Sequence, residues 1–490
     1  MSSSSLLSLP PSRAAVPPSF DNLTREALAD YFHDSWSLYE QLFDMIMHPA
    51  ALISQPDPLR LPLAFYLGHT AAFYINKLRA AGIIDVGVHA EWDQLFARGV
   101  DPASTTELRP VDWPAPASIW QYRQTAFLII QDVIDSISYD LPASRSSHDF
   151  SRFQRSAAWT VMMGIEHERI HWETSSVLFR QAPVSIFRAR SPWELAPLAD
   201  DDSLHSPLEL SSAMVPIGPT TVSLGKPADE PTFGWDNEYG SLIRTVSAFE
   251  IGRNLITNGE YLQFVEEGGY ESDQYWSAPG WIWRTATASS NPKFWIPQDN
   301  RFRYRALFVD LELPEHWPVE VNHFEAEAYC RWKGEQYRLP SEAEYRVLTD
   351  LSAQPATDHD VPGWNSAYNN HLRFGSPTPV GLSLPGDLVN DLRGNVWQLL
   401  ADDFHPFNGF HTDPLYADFS TPYFDADHGM MAGGSWATTG TAASVYYRLW
   451  FRRFFFQHAG FRLARSLDSD GRTSNRKSNC HTNPPQGTHA

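Results

Sequence analysis

The chain has 490 residues, 42% of them hydrophobic and 13% aromatic, and its formal net charge is −21. That length exceeds one ordinary core and fits two to three domains, while the apolar fraction excludes a disordered chain. So acidic a surface argues against nucleic-acid and membrane partners, and two cysteines, Cys330 and Cys480, exclude a disulfide scaffold or a multi-thiolate cluster.

Residues 1–20 are rich in Ser and Pro, carry one arginine, and lack the apolar stretch of a secretory signal. They read as a disordered tail, and no later run is long and apolar enough to cross a bilayer. A cytoplasmic location is the expectation.

Four segments with helical periodicity follow, within residues 21–188. Leu28, Phe32, Ser35, Leu38, Leu42 and Ile46 form the first stripe. The second runs from about Pro62 to Ala81 and aligns Phe65, His69 and Phe73 on one face. A Pro-rich crossover, Asp101 to Ser118, leads to the third, marked by Ala126, Ile129, Ile130, Val133 and Ile137. The fourth spans about Phe150 to Arg180. Amphipathic helices with one long crossover predict a four-helix bundle, an architecture whose core often holds metals. Residues 189–212, rich in Pro, Asp and Ser, read as a linker. From 213 to 466, short alternating segments and Trp/Gly/Pro turns predict an irregular α+β domain. Capping-box pairs Thr257–Glu260, Asn322–Glu325 and Ser341–Glu344 mark its helix starts. Residues 467–490 read as a second disordered tail. The glycine motifs of dinucleotide and P-loop enzymes are absent.

The sharpest local signal is Glu166-His167-Glu168-Arg169-Ile170-His171. His167 and His171 are four apart, so both imidazoles leave one face of the fourth helix about a turn apart. Glu173 would complete a two-histidine, one-carboxylate triad, but it lies about 200° around the helix from His171. His69, on the inward face of the second helix, is the better third ligand. Three neutral imidazoles leave open positions for substrates and dioxygen. His167 to His171 also spells HExxH, which makes a zinc peptidase the lower-ranked alternative. Its extended form fails, because Thr174 and Val177 stand where a glycine and a third histidine belong. Glu194 is a distant candidate ligand in the linker.

With these residues in place, the chain resembles the 5-histidylcysteine sulfoxide synthases (OvoA-type) of ovothiol biosynthesis, relatives of the ergothioneine-pathway sulfoxide synthases. The resemblance runs from about Asn22 to Arg465. It is carried by Phe65-Tyr66-Leu67-Gly68-His69-Thr70, by Ile75-Asn76-Lys77-Leu78, by Met163 through His167, and by His171 through Ser176. In the second half it rests on Phe233 through Gly240, Trp317 through Asn322, Gly394-Asn395-Val396-Trp397, Asp418 through Pro422, Gly433-Gly434-Ser435-Trp436 and Phe455 through Arg462.

The resemblance implies a multidomain fold: an all-α DinB-like four-helix bundle, then a C-type-lectin-like α+β domain of the sulfatase-modifying-factor (formylglycine-generating-enzyme-like) type. It implies Fe(II) held by His69, His167 and His171, and a catalytic tyrosine at Tyr416, with Tyr423 as fallback. The expected reaction joins cysteine to the imidazole of histidine with oxidation of the sulfur, using dioxygen as the only oxidant. Four electrons leave the two substrates and reduce one dioxygen, one oxygen atom ending in the sulfoxide and the other in water, so no external reductant is needed.

Relatives that use trimethylated histidine (hercynine) carry a glutamine where this chain has Ile170, and an Asn-Trp-Asp run where it has Leu449-Trp450-Phe451. These departures favour free histidine and cysteine, with the ergothioneine-type reaction of trimethylhistidine with a γ-glutamyl thiol as the alternative. Ile170, Trp450 and the arginines Arg448, Arg452 and Arg453 are the candidate substrate contacts, the arginines for carboxylates. A methyltransferase and a lyase are expected from other chains. A formylglycine-generating oxidase needs two thiols in the second domain, where only Cys330 stands. A lectin-like binding module without catalysis is the non-enzymatic reading.

Overall fold

The computed structural model describes residues 12–99, 101–108, 111–139, 150–198, 213–352, 368–382 and 388–467. The expected tails, apart from residues 12–20 and 467, and most of the expected linker lie outside the described residues.

The first half is helical: α1 Arg25–Asp44, α2 Leu63–Ala80, α3 Ala90–Leu95, α4 Pro116–Ser136, α5 Phe150–Phe153 and α6 Ala157–Gln181. Helix α1 starts where the Thr24 side chain accepts from Ala27 N, and it buries Leu28, Phe32 and Leu42. Proline sets the start of both α2, at Pro62, and α4, at Pro116. The fourth periodic segment is not one continuous helix. Ser156 accepts from Trp159 N and caps a fresh start, so α5 and α6 are separate. Helices α1, α2, α4 and α6 pack on one another as a bundle.

Helix α6 is buried on nearly every face, although its sequence carries Glu166, Glu168, Arg169, Glu173 and Arg180. A helix buried all round needs partners on all sides. The bundle supplies one side, and the second half of the chain supplies the other. One continuous hydrophobic core accordingly includes Leu42, Ile130 and Met163 together with Trp317, Trp397 and Trp436.

The second half mixes short sheets and helices. Its strands are β1 Met214–Ile217, β2 Thr220–Leu224, β3 Leu242–Val246, β4 Phe249–Gly252, β5 Trp295–Gln298, β6 Arg301–Arg305, β7 Asp310–Glu312, β8 Trp397–Asp403, β9 His428–Ala432, β10 Leu449–Arg452, β11 Ala459–Gly460 and β12 Ala464–Ser466. They form sheets ordered β1-β4-β12, β10-β9-β8-β11, β2-β3 and β5-β6-β7. Strands β1 and β12 flank β4 antiparallel, with Val215 and Ala464 both opposite Ile251, so the two ends of this region are tied together. Helices α7 Asn258–Glu266, α9 His323–Lys333 and α10 Glu342–Leu351 each begin with the capping box read from sequence, while α8 Ala278–Thr287 starts at Ser277. Among the described residues no helix is long and apolar enough to cross a membrane.

Candidate metal centre

His69 on α2 and His167 and His171 on α6 are all buried, and one ligand-capable atom from each lies within 4.8 Å of the others. Their ring centroids stand 4.4 to 5.0 Å apart. Among the described residues no other His/Cys/Asp/Glu group of this kind occurs. The Nδ1 of His69 is hydrogen-bonded to the Phe96 carbonyl, which leaves Nε2 as the lone-pair nitrogen facing the cluster. That Nε2 lies 3.1 Å from His171 Nε2. Two nitrogens about 2.1 Å from one ion and at right angles are separated by roughly 3.0 Å, so the spacing suits neighbouring ligands of a single metal.

Burial pushes all three imidazoles down, His69 to about 4 and the other two well below the usual histidine range. The neutral form, which a metal requires, is therefore the resting form. The donor set fits a divalent transition ion such as ferrous iron.

Each neighbouring carboxylate is engaged elsewhere. Glu168 pairs with Arg123 at 3.1 Å and accepts from Thr70 and Ser35. This overturns the zinc-peptidase alternative, because the HExxH glutamate faces the bundle interior and is held by an arginine. Glu166 accepts from Tyr31 at 2.6 Å and from Thr441 N at 2.8 Å. Glu173 points away from the imidazoles, as its angular position requires, and accepts from Trp397 Nε1 at 2.7 Å, from Thr438 at 2.8 Å and from Ser435. Glu194 takes no part in the cluster.

The three histidines line a cavity of about 190 Å³ whose facing wall comes from the second half of the chain. Tyr416 lines it, with its ring 5.0 Å from Phe73 and 6.1 Å from His167. Tyr423 also lines it, stacked at 3.8 Å on Trp450. Ile170 and Trp450 are lining residues too. The three candidate arginines are not. Arg448 is spent on Glu342 at 2.6 Å, Arg452 on Asp101 at 3.1 Å, and Arg453 on Glu327 at 3.5 Å and on Asp403. In an acidic protein these cations were consumed by structural pairs, which spacing alone does not reveal. A larger open groove of about 900 Å³ runs outside α1 and α4 beside Trp36 and Trp120, without the histidines.

Sequence reading missed Lys77. Its Nζ lies 3.9 Å over the Tyr416 ring and donates to the Leu415 carbonyl at 2.7 Å. The signal was there: Lys77 continues the His69–Phe73 stripe by another four residues, and a lysine on an inward face needs a reason. From the other side, the Asp413 carboxylate accepts from Leu415 N at 2.7 Å and from Tyr416 N at 3.2 Å.

Helical bundle, β-rich lectin-like region and a three-imidazole cluster between them together define a two-part, metal-capable protein. Residues 205–467 match the family described as "Sulfatase-modifying factor enzyme 1-like domain". The match covers more than half of the chain, and the chain belongs to that family. Over 445 residues it is 29% identical to a hercynine oxygenase of Mycolicibacterium thermoresistibile, covering 86% of this chain and 90% of that one. A hercynine oxygenase of Mycobacterium tuberculosis is 34% identical over 249 residues, 48% of this chain and 57% of the relative. Ergothioneine biosynthesis protein 1 of Schizosaccharomyces pombe is 24% identical over 439 residues, 83% of this chain and 51% of the relative.

Proposed function

We propose that this chain is a non-haem iron, dioxygen-dependent sulfoxide synthase that joins a cysteine-type thiol to the imidazole of a histidine-type amino acid. The observation that carries the reading is the set of three neutral, buried imidazoles on one wall of a cavity that Tyr416 and Trp450 close from the other side. Ferrous iron held by His69, His167 and His171 would supply open coordination positions and the capacity to activate dioxygen. The protein's part is to keep those imidazoles neutral and to enclose the reactants. Tyr416 offers a proton: burial holds its phenol well above the ordinary tyrosine range, so the hydroxyl stays protonated and serves as a general acid.

For the acceptor, the names of the relatives support trimethylhistidine better than the free histidine expected from the ovothiol-type resemblance. The aromatic wall of Phe419, Tyr423 and Trp450 suits a quaternary ammonium through cation–π attraction. Two features sustain the second reading, free histidine with cysteine: Ile170 lines the cavity where users of trimethylhistidine carry a glutamine, and Leu449 and Phe451 line it where they carry an asparagine and an aspartate. The decisive experiment loads the chain with ferrous iron without oxygen. Equal histidine and trimethylhistidine are then added with cysteine and γ-glutamylcysteine, oxygen is admitted, and the products are weighed by mass spectrometry. A trimethylated sulfoxide conjugate is expected. A histidine conjugate alone moves the assignment to the second reading, and no conjugate of either kind removes both. A lyase on another chain would be needed to cleave such a conjugate.

A further inference from the structure

The cavity is walled by parts of the chain that have no local reason to meet. Ala97, Arg98, Gly99 and Asp101 come from the stretch between α3 and α4, whereas Tyr423 and Trp450 come from the second half. His428, the first residue of β9, reaches both parts, and its side chain is only 1% exposed. Its Nε2 lies 3.0 Å from Asp101 Oδ2 and its Nδ1 lies 2.7 Å from Asp425 Oδ1. The ring stands edge-on to two others, 5.2 Å from Tyr423 and 5.4 Å from Trp450 between centroids. Those two rings stack on each other at 3.8 Å. His428 does not itself line the cavity, so whatever it does there it does through Tyr423 and Trp450.

A ring that bonds two carboxylates needs two N–H groups, and only the imidazolium has both. Burial by itself would lower the His428 proton affinity. The hydrogen bonds and charges of Asp101 and Asp425 outweigh it and hold the imidazole above its ordinary 6.5. The neighbouring groups supply no substitute for that proton. Arg452, opposite His428 on β10, is paired with Asp101 at 3.1 Å and with Asp427 at 3.6 Å. Asp425 otherwise accepts from the backbone N–H groups of Asp427 and His428. The Tyr423 phenol, pushed up to about 12 by burial, stays neutral where a histidine titrates. When the imidazolium loses its proton, a bare ring nitrogen faces a carboxylate oxygen, and one of the two arms is lost.

We infer that His428 is a positioning residue: by joining Asp101 to Asp425 it fixes the Tyr423–Trp450 face against which the cationic amino-acid substrate rests. The inference deepens the proposed reaction and takes its ligand class from it. A histidine held above its ordinary value contributes stability that is fully present below that value and is lost as pH rises through the folded one. Substrate affinity should follow the same limb.

Anaerobic calorimetric titration of the ferrous-loaded full chain with trimethylhistidine, from about pH 6.5 to about pH 9, reads this without turnover. The quaternary charge of that probe does not change with pH, and its imidazole titrates alike against every variant. Wild-type affinity should fall about 10-fold across the range, the scale of coupling between two linked sites. His428→Gln should bind about 10-fold more weakly at the acid end and show no limb. Asp425→Asn keeps the Asp101 arm and should carry the limb to lower pH, because one of the carboxylates that hold the proton is gone. The test therefore survives a poorly folding His428→Gln. Wild-type affinity that is flat in pH overturns the inference, as does a limb that stays at the same pH in both variants. In turnover, His428→Gln should raise KM more than it lowers kcat. Binding that follows the His428 limb in a chain that makes no conjugate sinks the reaction and keeps the positioning role. Conjugates formed with KM blind to both substitutions do the reverse.

Discussion

Arg180, in the last turn of α6, donates through both terminal nitrogens to Glu320 of the second half of the chain, Nη2 reaching Oε2 at 2.7 Å. His458 joins the pair at 3.1 Å from Glu320, and Ser176 reaches His458 at 2.7 Å. Both partners of the ion pair are buried. Burial alone would raise the Glu320 carboxyl, but the Arg180 charge and the hydrogen bonds from His458 and Arg180 outweigh it and bring it down to about 2. A depressed carboxylate contributes stability that is fully present above its unfolded value near 4.3 and is lost as pH falls through the folded value. Glu320→Gln is therefore expected to lower Tm strongly at pH 7, by the equivalent of about 3–5 kcal/mol for a broken buried pair. The deficit relative to wild type should narrow between about pH 4 and pH 2. Thermal melts across that range check it, and a pH-independent deficit would contradict the assignment.

Glu173 makes a complementary case. Its carboxylate gathers Trp397, Ser435 and Thr438, so removing it strands several buried donors. Glu173→Ala should destabilise the protein by roughly 3–5 kcal/mol while leaving metal content intact in the folded fraction. Loss of metal at constant Tm would instead make Glu173 a ligand.

The histidines carry the opposite signature. Ferrous iron is expected at one ion per chain by elemental analysis after anaerobic loading. Substituting His69, His167 or His171 with alanine should each reduce occupancy by at least 10-fold, the scale on which even supporting contacts of a metal site act. Because the imidazoles are neutral and buried in the folded chain, their removal should change Tm less than removal of Glu173.

What could be read from sequence depended on whether a residue's partners were local. The His167–His171 spacing and the outward angle of Glu173 are properties of a single helix, and both recur in the structure. The capping boxes at Thr257, Asn322 and Ser341 are likewise local, each closed within four residues. His69 required only the choice of an inward face on a second helix. The arginines are different. Whether Arg448 or Arg60 faces the cavity depends on Glu342 and Phe455, which lie far away in the chain and are brought in by the fold. The break between α5 and α6 was hidden because Phe153 and Ala157 keep the apolar spacing across it, while Ser156 acts as a cap rather than a helical residue.

Lys77 yields the last prediction. Burial pushes its ammonium down to about 8, with Asp418 and Asp413 pulling back part of the way. Below that pH the cation lies over the Tyr416 ring and braces its loop through Leu415; above it the charge is lost. A proposed general acid held in place by this cation should work less well as pH passes 8. The rate kcat is expected to fall on that limb, Lys77→Arg should carry the limb upward, and Lys77→Met should give a pH-flat rate reduced about 10-fold, the lower part of a general-acid contribution. Stability should move the other way. A lysine whose folded pKa lies below its ordinary 10.5 weakens the fold while it stays charged, a loss recovered as pH rises from about 8 toward that value. Lys77→Met should therefore hold or raise Tm at pH 7 while slowing turnover. A variant that loses both together would make Lys77 a packing residue with no bearing on Tyr416.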